Sequence, residues 1–244
     1  MLKHYLIIVI VLCGLCDIYS GSLPPDIDRC KVLDNVCIMK AMNDVIRLYP
    51  NGNPSFGLID LTQIKLQKLI ISDSARHFDL TFENAVVTGI ENIKVVSVSG
   101  FDPSISKIVV NLEIQNGKLN GDYKVNGNIL RLQLKGQGKA EMKSTRCMCK
   151  LMIDVKLEKR NGKNYLAIKR MKAELQPKDF HIRLDNLFDG NKELTDSINE
   201  TLNKNWRDFW NELRDDFGNA FVAVVQNILD NVFKELSYDD FYIN

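Results

Sequence analysis

The chain has 244 residues, 45% of them apolar, and its 32 Lys plus Arg against 31 Asp plus Glu leave a formal net charge of +1. That length suffices for one large domain, or two small ones, with a real hydrophobic core. A basic nucleic-acid face would tilt the charge balance, so nucleic acid is excluded as the expected partner.

The first segment stands apart. Lys3 and His4 precede the apolar run Tyr5 to Leu12, and small residues follow at Gly14, Ser20, Gly21 and Ser22. This is the pattern of a signal peptide over residues 1–21, cut between Ser20 and Ser22. The run falls short of the ~20 apolar residues that span a bilayer, and no second segment offers one, so no stable membrane insertion is expected. Residues 22–244 are expected to form a single secreted, extracellular domain in a disulfide-permissive compartment.

Of six cysteines, Cys13 and Cys16 would leave with the signal peptide, and Cys30, Cys37, Cys147 and Cys149 would remain. In one continuous helix Cys30 and Cys37 would lie about 10 Å apart along the axis. A disulfide holds its Cα atoms about 4.4 to 6.8 Å apart. A Cys30–Cys37 bridge therefore needs a turn before the helix, and Asp34 or Asn35 can cap a helix from Val36 to Tyr49. Ile38, Met42, Val45, Ile46 and Tyr49 give its apolar face, and Pro50-Asn51-Gly52-Asn53-Pro54 ends it.

From Leu66 to Leu184 the apolar period becomes two, as in Ile108, Val110, Leu112 and Ile114, or Leu151, Ile153, Val155 and Leu157. Asn116-Gly117, Asn126-Gly127 and Asn161-Gly162 read as hairpin turns. The expectation is a long antiparallel meander with one dry face and one wet face. Gly136-Gln137-Gly138 lacks the third glycine of a dinucleotide loop and reads as a bend or bulge.

Beyond Asp189-Gly190 the period changes again, and Leu194 to Leu236 contains no proline. At 100° per residue Ile198, Leu202, Trp206, Phe209, Leu213 and Phe217 share roughly one third of the circumference. After Gly218 the apolar arc widens and rotates through Phe221, Val222, Val225 and Leu229, which predicts a bend near Gly218 or deeper burial of the last half. Such a helix needs a dry surface, and the meander supplies one. The expected fold is α+β, with one long C-terminal helix wrapped by a curved antiparallel sheet and a short N-terminal helix.

Chemistry is sparse. Beyond the leader only His77 and His181 remain, and no metalloprotease, nucleophile-elbow or P-loop pattern is present. Asp185, Asp189, Gly190 and Glu193 do not match calcium-loop spacing. No cofactor, metal or catalytic residue is expected. Cys147 and Cys149 share the inward phase of Leu151. They pack as two buried thiols, or form a bridge if a bulge shortens their spacing of about 6.5 to 7 Å.

Three stretches carry a resemblance over essentially the whole mature chain. They are Leu23-Pro24 followed by Cys30-x6-Cys37, "LNGDYKVNGNILRLQLKGQG" from Leu119 to Gly138, and "LDNLFDGNKELTDSINETLNKNW" from Leu184 to Trp206. The chain resembles the insect takeout / juvenile-hormone-binding protein family. The resemblance implies a tubular lipid-binding-like fold and a monomeric carrier of a juvenile-hormone-like terpenoid or fatty-acid-like lipid in an apolar tunnel. It implies a ligand contact for Tyr123, which strand phase turns inward; the alternative is a core tyrosine whose hydroxyl bonds to backbone. Trp206, Phe209, Leu213, Phe217 and Phe221 are the candidate lining. Hormone-binding members carry a second disulfide before the long helix, but no cysteine follows Cys149 here. That weakens juvenile hormone as the specific ligand. The alternative reading is a secreted interaction or signalling module on the same fold, without bound lipid. A third, a secreted hydrolase, would need polar groups converging on His77 or His181.

Asn199-Glu200-Thr201 is an N-glycosylation sequon. On helical phase Asn199 lies within roughly 20° of Trp206, inside the apolar arc, so it is a possible glycosylation site only if the first turns of the helix project beyond the sheet. Trp206 is expected to face inward and Trp210 to lie nearer the edge.

Overall fold

A computed structural model of the chain describes residues 21–73, 77–101 and 107–243. The expected signal peptide lies outside the described residues except for Gly21, and Cys13 and Cys16 lie outside them too.

The N-terminal arm forms β1 (Cys30–Lys31), turns, and enters α1 (Asn35–Leu48). Asp34 is the cap residue, and its carboxylate accepts from the Cys37 amide at 3.0 Å. The turn brings Cys30 and Cys37 to a Cα separation of 5.6 Å, and they are bridged. β1 also pairs in parallel with β9 (Tyr242–Ile243), so the bridge ties α1 to both ends of the described chain. Closing this short loop restricts the unfolded chain. Replacing Cys30 and Cys37 with serine is expected to cost about 2–3 kcal/mol. A denaturant midpoint lowered equally by the double variant and by reductant on the unmodified protein checks this.

The period-two stretch folds as predicted into one antiparallel sheet. Its strands are β2 (Ile64–Asp73), β3 (Phe78–Thr88), β4 (Lys94–Ser99), β5 (Lys107–Ile129), β6 (Leu132–Arg160), β7 (Lys163–Pro177) and β8 (His181–Leu184). The main path runs β2-β3-β5-β6-β7, with β4 on β5 and β8 on β6. β5 and β6 run the length of the sheet. β3 covers the second half of β5 and β4 the first; β8 covers the first half of β6 and β7 the second. Asn161-Gly162 makes the β6–β7 turn, with both residues at positive φ. The other two expected turns are not turns, since β5 continues through Asn116-Gly117 and Asn126-Gly127, with only local irregularities at Asn116 (φ 54°) and Gly127 (φ 133°). The β5–β6 hairpin closes instead at Leu130 and Arg131, at φ 50° and 64°. Neither residue favours that conformation. The Leu130 amide donates to the Glu212 carboxylate at 3.3 Å, which holds the tip against the long helix.

The C-terminal helical stretch is two helices, α2 (Lys192–Lys204) and α3 (Trp206–Glu235), followed by the short α4 (Tyr238–Phe241). The interruption falls at Asn205 rather than near Gly218. Asn205 ends α2, with its amide and side chain both donating to the Thr201 carbonyl, and its own carbonyl starts α3 by accepting from Phe209. Gly218 is buried within α3, where an added Cβ would stand 2.7 Å from the Ala173 carbonyl oxygen. Glycine there lets the helix backbone lie directly on β7.

α3 packs against both β7 and β2, the two ends of the main strand path. A sheet whose outer strands meet one helix is a curved gutter with the helix lying across it. The inner face and the helix enclose two apolar groups. One joins β2, β3, β8 and the nearer halves of β5 and β6 with α2 and the start of α3. The other joins β4, β7 and the far halves of β5 and β6 with α1 and the rest of α3. A third, smaller group lies where the far part of α3 meets the start of β2.

Candidate functional site

The site to consider is the space between α3 and the gutter, because the sequence's candidate residues converge there. The start of α3 fills its end with rings. Phe209, Leu213 and Phe217 are 1%, 0% and 8% exposed, and Trp210 is 9% exposed. Trp210 stacks on Phe217 with ring centres 4.6 Å apart, and Phe180 joins them at 5.2 and 5.5 Å. The expected order of the tryptophans is reversed. Trp206 opens α3 beside the break at Asn205, and its half-buried ring carries the Arg207 guanidinium 4.6 Å above it. Trp210 is the one buried against the other rings. Phe180 was not anticipated from the sequence, because it lies between β7 and β8 in a stretch with no clear period.

Tyr123 is 3% exposed and faces inward, as its strand phase predicts. Its hydroxyl donates to the Asp185 backbone carbonyl at 2.6 Å, and burial pushes its pKa well above the ordinary phenol value. The segment it holds crosses β6 at the two glycines. A Cβ on Gly136 would stand 2.9 Å from the Leu187 Cα, and one on Gly138 would stand 2.7 Å from the Asp185 carbonyl oxygen. Gly136-Gln137-Gly138 is therefore a close backbone crossing, with Asn186 donating to the Gln137 carbonyl at 2.8 Å.

Asn199 is 5% exposed and bonded along its whole amide. It accepts from the Leu184 amide at 2.8 Å and donates to the Leu184 carbonyl at 2.8 Å and the Thr195 carbonyl at 3.0 Å. The sequon expectation is corrected here, because this side chain has neither the access nor the free nitrogen that a glycan requires. Asn203 repeats the arrangement one turn on, accepting from and donating to Ile182.

Beyond Gly218 the packing changes. Phe221, Val222, Val225, Leu229 and Phe233 contact the far apolar group, yet all are half-buried. Met39, Met42, Ile168 and Met171 opposite them are half-buried too. Of the six sequence candidates, Phe209, Leu213 and Phe217 thus lie in closed packing together, with Tyr123 in the same group. Trp206 lies at its rim, and Phe221 lies in the looser half. A separate cleft of about 580 Å³ lies outside the rings, between the β5–β6 tip and the α2–α3 break. It is lined by Leu130, Arg131, Leu132, Thr201, Asn205, Asp208, Asn211 and Glu212, and most of these are polar.

The haemolymph juvenile hormone binding protein (JHBP) family description matches residues 6–243. The chain belongs to this family. It is 28% identical over 236 residues to the circadian clock-controlled protein daywake of Drosophila melanogaster, covering 91% of this chain and 89% of that one. The daywake protein of Drosophila yakuba is 25% identical over 233 residues. Takeout 1 of Epiphyas postvittana shares the fold, with a TM-score of 0.76 at 22% identity over 88% of this chain and 99% of that chain. JHBP and takeout folds are those of hydrophobic-ligand carriers, a binding family rather than an enzymatic one.

Within the JHBP frame two features bear on chemistry. His77 and His181 are both exposed, one ahead of β3 and one opening β8. Partial burial and the nearby Lys143 hold His181 below the ordinary histidine value. No group of three or more His, Cys, Asp or Glu that could hold a metal occurs among the described residues, and no helix there is long and apolar enough to cross a membrane. Cys147 and Cys149 are free and buried on the inner face of β6, opposite Ile114 and Leu112. Burial pushes their pKa values up to about 11 and about 12. An acid whose folded pKa is raised ionises first in the unfolded chain. Stability from these thiols is therefore complete below about pH 9 and is lost as pH rises through the folded values. The unfolding midpoint is expected to fall between pH 9 and pH 11 more steeply in the unmodified protein than in a Cys147→Ala, Cys149→Ala variant. Equal slopes would show that the thiols do not contribute.

Proposed function

We propose that the chain is a secreted carrier that holds a small hydrophobic ligand, of terpenoid or fatty-acid-like class, between α3 and the sheet. The observation that supports it most is the curved sheet with an apolar inner face and an amphipathic helix lying across it. A ligand there leaves water on all sides, and burial stabilises it by about 25 cal/mol per Å² of apolar surface. The family's carrier role and the bridged N-terminal arm support the same reading. Tyr123 enters it as a fixed wall residue whose hydroxyl oxygen can still accept a hydrogen bond.

An environment-sensitive apolar fluorophore tests this. Saturable binding of one fluorophore per chain, displaced by a sesquiterpenoid ester or a long-chain fatty acid, is the expected result. A flat titration, with no displacement by either competitor, would contradict it.

The reading as an interaction module has one observation in its favour. Val32, Leu33, Val36 and Ile243 are 38%, 53%, 73% and 42% exposed, and they sit on the disulfide-closed turn, the first turn of α1 and the adjoining β9. That reading predicts no displaceable apolar ligand, so the same titration separates the two.

A further inference from the structure

The one described residue of the expected leader is part of the folded domain. Gly21 is buried, and it lies where two distant parts of the chain meet. A Cβ built on it would stand 2.9 Å from the Glu235 carbonyl oxygen and 3.0 Å from the Ser55 carbonyl oxygen. Glu235 is the last residue of α3, and Ser55 belongs to the single helical turn Pro54–Phe56. Two residues on, Leu23 packs on the apolar group that holds Phe56 and Leu236. The N-terminal arm is thus seated against the C-terminal end of the long helix.

The place that excludes a carbon suits a nitrogen. Separations of 2.9 and 3.0 Å are too short for carbon against oxygen but ordinary for N–H···O hydrogen bonds. In an internal residue the direction of the nitrogen is fixed by the chain before it. In a first residue, a turn of about 120° about the Cα–C bond carries the nitrogen to the position that Cβ would have taken, since both are tetrahedral sites on one Cα at similar bond lengths. An ammonium there donates to both carbonyls at once. Its charge is favoured too, because the last turn of a helix carries the negative end of the helix dipole. α3 already takes one cation at this end, where the Arg160 guanidinium donates to the Phe233 carbonyl at 3.1 Å.

We propose that the leader is cut at the Ser20–Gly21 bond and that the new Gly21 ammonium locks the N-terminal arm onto the end of α3. A signal peptidase hydrolyses the amide with one water; Ser20 leaves with the carboxylate, and the Gly21 nitrogen becomes the ammonium. The mature arm is then fastened at its start by the ammonium, next by Leu23, and at its far end by the Cys30–Cys37 bridge. With the leader attached, the Gly21 nitrogen is a neutral amide with one hydrogen and cannot make the double contact. The lock therefore belongs to the processed chain alone. This inference needs removal of the leader, and it holds whether or not the interior carries a ligand.

Two measurements test it. In the first, the full chain is expressed in secreting cells and the N-terminal peptide of the released protein is read by mass, with Gly21 expected as the first residue. In the second, chains beginning at Ser20, Gly21 or Ser22 are released from a cleavable fusion and melted side by side. The chain beginning at Gly21 is expected to melt about 2–4 °C above the other two. Selective acetylation of its α-amine, which removes the charge and leaves the sequence unchanged, is expected to abolish that margin. Any other terminus on the released protein overturns the assigned cut. A Gly21 chain that melts with the other two, or whose melting temperature ignores acetylation, overturns the lock.

Discussion

Replacing Asn199 with alanine is expected to destabilise the protein by about 2–5 kcal/mol, although no ligand contact is involved. β8 is a short strand paired with β6 on one side only, and its other side faces α2. Alternate residues Ile182 and Leu184 direct their backbone groups away from β6, where the Asn203 and Asn199 side chains meet them. Four residues of helix rise about 6 Å and two residues of strand span about 6.6 Å, so asparagines at that helical spacing match the strand. Each amide both accepts and donates, as a neighbouring strand would. Alanine at 199 leaves the amide and carbonyl of Leu184, a residue 1% exposed, without these partners. Each unsatisfied buried group costs about 1–3 kcal/mol. Denaturant unfolding of Asn199→Ala against an exposed control such as Asn227→Ala measures this. A difference below about 0.5 kcal/mol would show that β8 does not depend on the asparagines.

Phe217→Ala carries the second large effect, expected at about 3–5 kcal/mol from lost burial and the void left behind. The ring lies 4.6 Å from Trp210, 5.5 Å from Phe180 and 6.2 Å from Phe209, so one truncation removes three ring contacts. In a chain of this size that lowers the melting temperature by roughly 6–20 °C. Trp210 reports the change directly, because its indole loses its stacked neighbour. The emission of a Trp206→Phe background should shift to the red on adding Phe217→Ala. An unshifted spectrum with an unchanged melting temperature would mean that the ring cluster is not closed packing.

The fold was largely legible because each large signal is periodic. Alternating apolar residues fixed the sheet and its inner face, and a 3.6-residue period fixed the helix and the phases of Phe209, Leu213 and Phe217. The failures occur where local chemistry and tertiary contact disagree. Asn116-Gly117 and Asn126-Gly127 carry turn chemistry, and Asn116 and Gly127 do take positive φ, but both sites are held inside β5 by its pairing with β6 on either side of them. The real hairpin sits at Leu130 and Arg131, where the Glu212 contact across 82 positions helps hold a conformation that neither residue favours. Asn205 breaks the long helix by taking up the end of α2 and the start of α3 at once, and the order of the two tryptophans follows from that break. The sequon was misleading in a useful way. Its asparagine does lie on the buried arc, but the reason is that β8, the strand just before its helix, needs a partner. The rotation of the apolar arc after Gly218 was visible, and the looser packing that accompanies it was not, because how far a side chain is buried depends on the strands opposite as well as on the helix.

The central claim is that the interior carries a hydrophobic ligand, and the most direct measurement is to purify the protein from its native source, extract it, and identify the released lipid by mass. One apolar compound per protein, in constant ratio between preparations, is the expected result. Extracts that hold no lipid above the level of an unrelated secreted protein would contradict it.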